Sequence, residues 1–153
     1  MPRLWLVGQC SIKRSCERRA FETFLSEAAE KARGYVPGRH RVEDYGGGGF
    51  RFADMSHRGS ILALPTGVRA IAALSHADID SGLIDQALSE SEGLDVLIIG
   101  SGKELLPLPG ALRARLRDAG AGCETMATGA AVRTYNLLLD EGRRVGALLI
   151  AVD

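Results

Sequence analysis

Hydrophobic residues change their spacing along this chain, and each change predicts an element. Between residues 17 and 33, Phe21, Phe24, Leu25, Ala28 and Ala32 recur at helical intervals with charges between them, which predicts an amphipathic helix stopped by Gly34. From Tyr45 the texture shortens. Phe50 to Phe52 alternates apolar and charged residues, Ser60 to Leu64 is nearly continuous, and Gly67 to Ala72 follows a Pro65-Thr66-Gly67 turn, so an antiparallel β-meander is expected. Helical spacing returns through Leu83, Ile84, Ala87 and Leu88 within 79–92. A strand at 95–100, a helix at 109–119, a strand at 123–127, a helix at 129–141 and a last strand at 145–152 complete the reading. Strands alternating with helices imply a largely parallel, buried sheet with crossover helices, and the β-rich first half lies against it.

At 153 residues and 46% hydrophobic content the chain suits one domain with a real core. Gly34 and the turn-forming Pro37-Gly38 set the front apart, so residues 1–34 are expected to be a basic extension carrying the amphipathic helix, and 35–153 a single α/β domain. Charge follows the same division: residues 1–44 carry a net +3 and residues 45–153 a net −3. The apolar stripe of the extension must cover the domain, meet a partner, or remain poorly ordered.

A formal net charge of zero argues against a nucleic-acid partner bound by phosphate neutralisation. Cys10, Cys16 and Cys123 are odd in number and badly spaced for disulfides or zinc, and His40, His57 and His76 lie in separate segments, so no metal site is expected. The apolar run Leu4 to Val7 is far too short for a signal core or a membrane span, so no transmembrane segment is expected.

The stretch VLIIGSGKEL (96–105) raises nucleotide binding and then fails it. A dinucleotide fingerprint wants a third glycine at Leu105 and an immediate helix, but Pro107 and Pro109 delay the helix. A P-loop wants Ser or Thr where Glu104 stands. Gly46 to Gly49 could cradle a phosphate, yet no helix follows, and a flexible lead into the first strand is the plainer reading. No cofactor is expected. Parallel sheets place ligands at the C-terminal ends of their strands, and two such ends fall at 100–104 and 128–136. Thr128 is expected to cap the following helix, with Arg133 in its second turn. Gly100, Gly102, Lys103, Glu104, Thr128, Arg133 and Asn136 therefore form the candidate site for a small anion. In the plain alternative Thr128 only caps, Arg133 pairs with Glu141 or Glu104, and Lys103 is solvated. No catalytic residue is assigned: Ser60 and Ser101 have no base placed beside them, Cys123 begins a buried strand, and Tyr135 shares the apolar helix face with Ala131 and Leu138.

Four segments in order, YGGGGFRF (45–52), RGSILALPTGV (58–68), DVLIIGSGKELLPLP (95–109) and ETMATGAAVRTYNLLLDEGRRVGALLI (124–150), resemble the family typified by the mitochondrial NADH dehydrogenase (complex I) assembly factor 3. The Thr-x-x-Ala-x-Arg-Thr-Tyr-Asn run from Thr128 to Asn136 is its most distinctive part. The resemblance implies a three-layer α/β fold with a mixed central sheet and no established catalysis. It further implies a protein-binding module whose partners are subunits or assembly factors of membrane respiratory complexes, with a link to membrane-protein biogenesis. The place implied is the cytoplasm, peripheral at the inner membrane, or the mitochondrion for a eukaryotic source. The alternative is a small-molecule or anion-binding enzyme using the strand-end cleft, with Lys103 and Glu104 as an acid–base pair.

Overall fold

A computed structural model describes residues 34–153. The helix expected at 17–33, Cys10, Cys16 and the Leu4–Val7 run lie outside these described residues. Val36–Asp153 is one compact unit.

A six-stranded sheet in the order β1-β6-β5-β9-β7-β8 forms the middle layer. Its strands are β1 (Tyr35–Pro37), β5 (Ile61–Leu64), β6 (Gly67–Ala70), β7 (Val96–Gly100), β8 (Gly122–Met126) and β9 (Val145–Leu149). β7 runs parallel to β8 and β9, whereas β5 is antiparallel to both β9 and β6, so the sheet is mixed. A separate three-stranded sheet, β2 (Asp44–Gly46), β3 (Gly49–Phe52) and β4 (Met55–Arg58), is an antiparallel meander. The expected single meander is thus split: 44–58 makes its own sheet, and the β5–β6 hairpin joins the large one.

Strand alternation builds two cores. Ile61, Ala63, Val96, Ile98, Val145 and Ala147 face one side of the large sheet, where Phe50 and Phe52 of the small sheet pack with Ala131, Val132 and Tyr135. Leu62, Leu64, Leu97, Ile99 and Leu148 face the other side, against Ile84, Ala87 and Leu116. The last groups belong to three helices: α1 (Ser81–Glu90) and α2 (Gly110–Asp118) on the second face, α3 (Thr128–Asp140) on the first. The expected three-layer α/β fold with crossover helices is observed.

The helix ends have local causes. Asp80 accepts the Leu83 N–H at 3.0 Å and starts α1. α3 stops where Gly142 takes a φ of 75°, its N–H bonding the Leu139 carbonyl and the Arg143 N–H bonding the Leu138 carbonyl. That paired closure needs a left-handed residue and so a glycine.

Gly46 to Gly49 is a tight hairpin and not a loose lead-in. Gly47 and Gly48, at φ 58° and 77°, form the two-residue turn between β2 and β3. Positive φ at both central residues matches the right-handed twist of a hairpin. The β3–β4 turn has the same form with Ala53 and Asp54 at φ 50° and 58°.

Candidate functional site: the strand ends beside the first turn of α3

The carboxyl ends of β7, β8 and β9 meet the start of α3. β7 ends in Gly100, where a Cβ would come within 3.0 Å of the Leu149 side chain and 3.1 Å of the Thr128 Cα. A side chain here would have to push Leu149 and the start of the helix away by a few tenths of an ångström. The next residue, Ser101, is buried, and its Oγ donates to the Glu104 carbonyl at 2.6 Å and accepts the Leu106 N–H at 3.0 Å. Its N–H donates to the Met126 carbonyl at 2.9 Å. The loop that looked like a nucleotide loop is therefore folded onto its own serine.

Thr128 closes the arrangement. Its N–H donates to the Gly102 carbonyl at 2.8 Å, and its Oγ1 accepts the Gly102 N–H at 3.1 Å while donating to the Ile150 carbonyl at 2.8 Å. The Ile150 N–H in turn donates to the Gly100 carbonyl at 3.0 Å. Thr128 is 0% exposed. The expectation that it caps α3 is overturned: Ala127 occupies the cap position, no side-chain cap bond forms, and Thr128 is the first helical residue. Burial put a carbonyl of β9's extension within reach of the hydroxyl, and that bond won over the helix's own N–H groups.

The structure thus brings Gly100, Gly102 and Thr128 together and leaves Lys103 and Glu104 exposed on the same loop. Arg133 is also exposed, with no side-chain hydrogen-bond or ion-pair partner among the described residues; the pairing with Glu141 or Glu104 is not formed there. Five residues turn it about 140° around the helix from Thr128. Asn136 lies roughly 12 Å along the axis from Thr128. There its Oδ1 accepts the Val42 N–H at 2.9 Å and its Nδ2 donates to the Val42 carbonyl at 2.8 Å. The first turn of α3 is covered by Tyr45, whose hydroxyl lies so near Gly129 that a Cβ there would overlap it.

Tyr135 is 1% exposed and donates its hydroxyl to the His40 carbonyl at 3.1 Å; burial pushes its phenol up to about 12. Cys123 is half-buried on the edge strand β8, and burial raises its thiol, which disfavours the thiolate. Burial lowers the His57 imidazole, and the backbone N–H groups of Leu74 and Ser75 lower the Asp78 carboxyl. Among the described residues no group of three or more His, Cys, Asp or Glu is placed to hold a metal, and no helix is long and apolar enough to cross a membrane.

Two features were missed in the sequence. One is a set of exposed leucines on two neighbouring loops: Leu74 at 84%, Leu105 at 61% and Leu106 at 42%. Their loops are joined by the His76 Nε2–H donating to the Pro107 carbonyl at 3.0 Å. For Leu105 and Leu106 the available signal was an apolar pair running into Pro107 without helical period. The other is a cleft of about 490 Å³ on the small sheet, lined among others by Gly46, Gly47, Arg51 and Arg58. A second cleft, about 410 Å³, lies at the start of α1 beside Asp78 and Asp80. Neither is lined by residues 100–104 or by Thr128, Arg133 or Asn136.

Comparison with known proteins accords with this geometry. An uncharacterised protein from Rhodobacter capsulatus is 38% identical over 109 residues, 71% of this chain and 82% of that protein. The crystal structure of a Bartonella henselae protein named an outer membrane protein is similar at a TM-score of 0.73 and 50% identity, covering 76% of this chain and 98% of that one. An NMR structure from Rhodopseudomonas palustris gives 0.67 and 40%, covering 76% and 89%. A Mth938-like domain from Bordetella pertussis gives 0.65 and 29%, covering 72% and 85%. The pattern for a family described as protein of unknown function (DUF498/DUF598) matches residues 42–150. By these matches and by its fold, the chain belongs to the DUF498/DUF598 family, as a Mth938-like domain.

Proposed function

We propose that this Mth938-like domain is a non-enzymatic protein-binding module that serves the assembly or upkeep of membrane complexes. In this reading residues 1–34 are a basic extension and 35–153 the binding domain, acting in the cytoplasm beside the inner membrane. Respiratory complex I subunits or their assembly factors are the partner class, a reading that rests on the resemblance of the four ordered segments.

One observation carries the proposal. Leu74, Leu105 and Leu106 stand exposed on loops tied together through His76 and Pro107, beside strand ends filled by the chain's own hydroxyls and carbonyls. Apolar residues held out on fixed loops suit a macromolecular contact. A small anion between Gly100–Glu104 and α3 has less support, since Thr128 and Asn136 are engaged within the chain and Tyr45 covers the first turn.

The test is capture from native cells with the full chain, the Leu74→Glu/Leu105→Glu variant, and Leu137→Glu as a control on an exposed position of α3. Burying a leucine contributes about 1.5–3 kcal/mol, so the double variant should weaken its partner roughly a hundredfold or more. Equal capture by the double variant and the parent would refute the proposal.

A further inference from the structure

The small sheet has two unlike faces. Strand alternation turns Phe50 and Phe52 into the core, so the opposite face carries Asp44, Arg51, Ser56 and Arg58. On this face Gly46 and Gly49 pair across β2 and β3, and Gly49 pairs with Arg58 across β3 and β4. With Gly47 they leave a strip of bare backbone as the floor of the cleft of about 490 Å³. That volume lies within the roughly 300–1,000 Å³ of small-molecule sites.

The floor is bare by necessity at one end and open at the other. A Cβ on Gly49 would collide with the His57 carbonyl, so no side chain fits there. At Gly46 and Gly47 nothing lies within 4 Å of where a Cβ would be, so the backbone is open to a ligand.

The charges around this floor are unequally committed. Arg51 pairs with Glu43 at 3.4 Å, and the Asp44 carboxylate accepts the Tyr45 N–H at 2.9 Å. Arg58 is exposed and has no side-chain hydrogen-bond or ion-pair partner among the described residues. A guanidinium beside a flat backbone surface offers a planar fork for an anion and room for a flat body next to it.

We propose that this cleft binds a flat organic anion bearing one acidic group, with its planar part on Gly46, Gly47 and Gly49 and its carboxylate or phosphate held by Arg58 and the Ser56 hydroxyl. Asp44 stands at the opposite corner of the strand lattice from Arg58 and disfavours a second negative group. This site is separate from the leucine-bearing loops and stands or falls independently of the protein-binding reading.

The experiment follows backbone amide shifts of the full chain during titration with benzoate, phenyl phosphate and inorganic phosphate. Saturable shifts are expected at Gly46, Gly47 and Gly49 with the two aromatic anions and weaker binding of inorganic phosphate. Arg58→Gln should lose roughly tenfold in affinity, the worth of one charge-assisted hydrogen bond. Gly47→Asn keeps a residue tolerant of positive φ in the turn while covering the floor, and it should weaken the aromatic anions more than inorganic phosphate. Undiminished binding in Arg58→Gln, or shifts confined to Lys103 and Arg133, would overturn the site. Equal binding of inorganic phosphate and phenyl phosphate would overturn the role of the floor.

Discussion

Asn136 grips both backbone polar groups of Val42, accepting its N–H at 2.9 Å and donating to its carbonyl at 2.8 Å across 94 positions of sequence. The residue before it on the helix, Tyr135, reaches the His40 carbonyl in the same segment. The two side chains pin the stretch that leads into the small sheet, and Val42 itself is buried in the core beneath it. The most distinctive motif of the chain is thus spent on holding distant backbone in place.

Asn136→Ala should therefore cost about 1–3 kcal/mol, because two hydrogen bonds vanish and the Val42 groups lose their partners. Urea unfolding measures this. Asn136→Asp is expected to be no better, since a carboxylate accepts from the Val42 N–H but repels its carbonyl. A neutral effect of both would mean that water replaces the clamp.

Thr128 gives a test that separates capping from tying. Thr128→Val keeps the volume but removes the bonds to Gly102 and Ile150, and a loss of about 1–3 kcal/mol is expected. Thr128→Ser should retain most of the stability. Thr128→Asp, a strong capping residue, should be worse than Ser because it sets an acceptor against the Ile150 carbonyl. Thermal unfolding of the three ranks them, and an aspartate variant as stable as the parent would restore the cap.

Ala53 sits at φ 50° in a turn that suits Asn or Gly. A left-handed alanine carries a steric cost of about 1–2 kcal/mol. Ala53→Asn should raise stability by roughly 0.5–1 kcal/mol, read from the urea midpoint, with no change in the amide pattern outside β3 and β4. A lowered midpoint would show that the side chain of Ala53 matters more than its φ.

Tyr135 makes stability fall in alkali. Its phenol is pushed up to about 12 in the folded chain, mainly by burial and against the pull of Arg39. In the unfolded chain a tyrosine titrates near about 10. Below that pH the contribution is fully present, and it is lost as pH rises toward 12, because the unfolded state releases its proton first. The urea midpoint should drop between about pH 9 and 11.5 more steeply for the parent than for Tyr135→Phe. Parallel curves would remove Tyr135 as the cause.

Residues 1–34 are expected to be dispensable for folding, since Val36–Asp153 is a compact unit by itself. If Phe21, Phe24 and Leu25 were buried on the domain, each would contribute about 1.5–3 kcal/mol. Chains with and without 1–34 should thus unfold at the same urea concentration. A collapse of the midpoint on truncation would make the extension part of the core.

Much of the fold was legible because it is written locally. The helical spacing of Leu83, Ile84, Ala87 and Leu88, the unbroken VLIIG of β7 and Gly142 behind α3 each act within a few residues, and the three-layer arrangement follows from burying those faces. The positive φ of Gly47 and Gly48 shows the limit. A run of four glycines permits a flexible lead and a tight hairpin alike, and the pairing of Tyr45 with Phe50 decided between them. The candidate site was less legible because its residues are polar, and polar side chains take whichever partner the tertiary structure brings near. Thr128 reads as a cap until Ile150 arrives beside it, and Asn136 reads as a ligand contact until Val42 does. Lys103 and Arg133 share a neighbourhood in the sequence argument, yet helix rotation carries Arg133 away from Thr128. Apolar spacing determined the elements, because water drives burial whatever the partner; tertiary packing alone decided the hydrogen bonds, because a donor is satisfied only by an acceptor within about 3 Å.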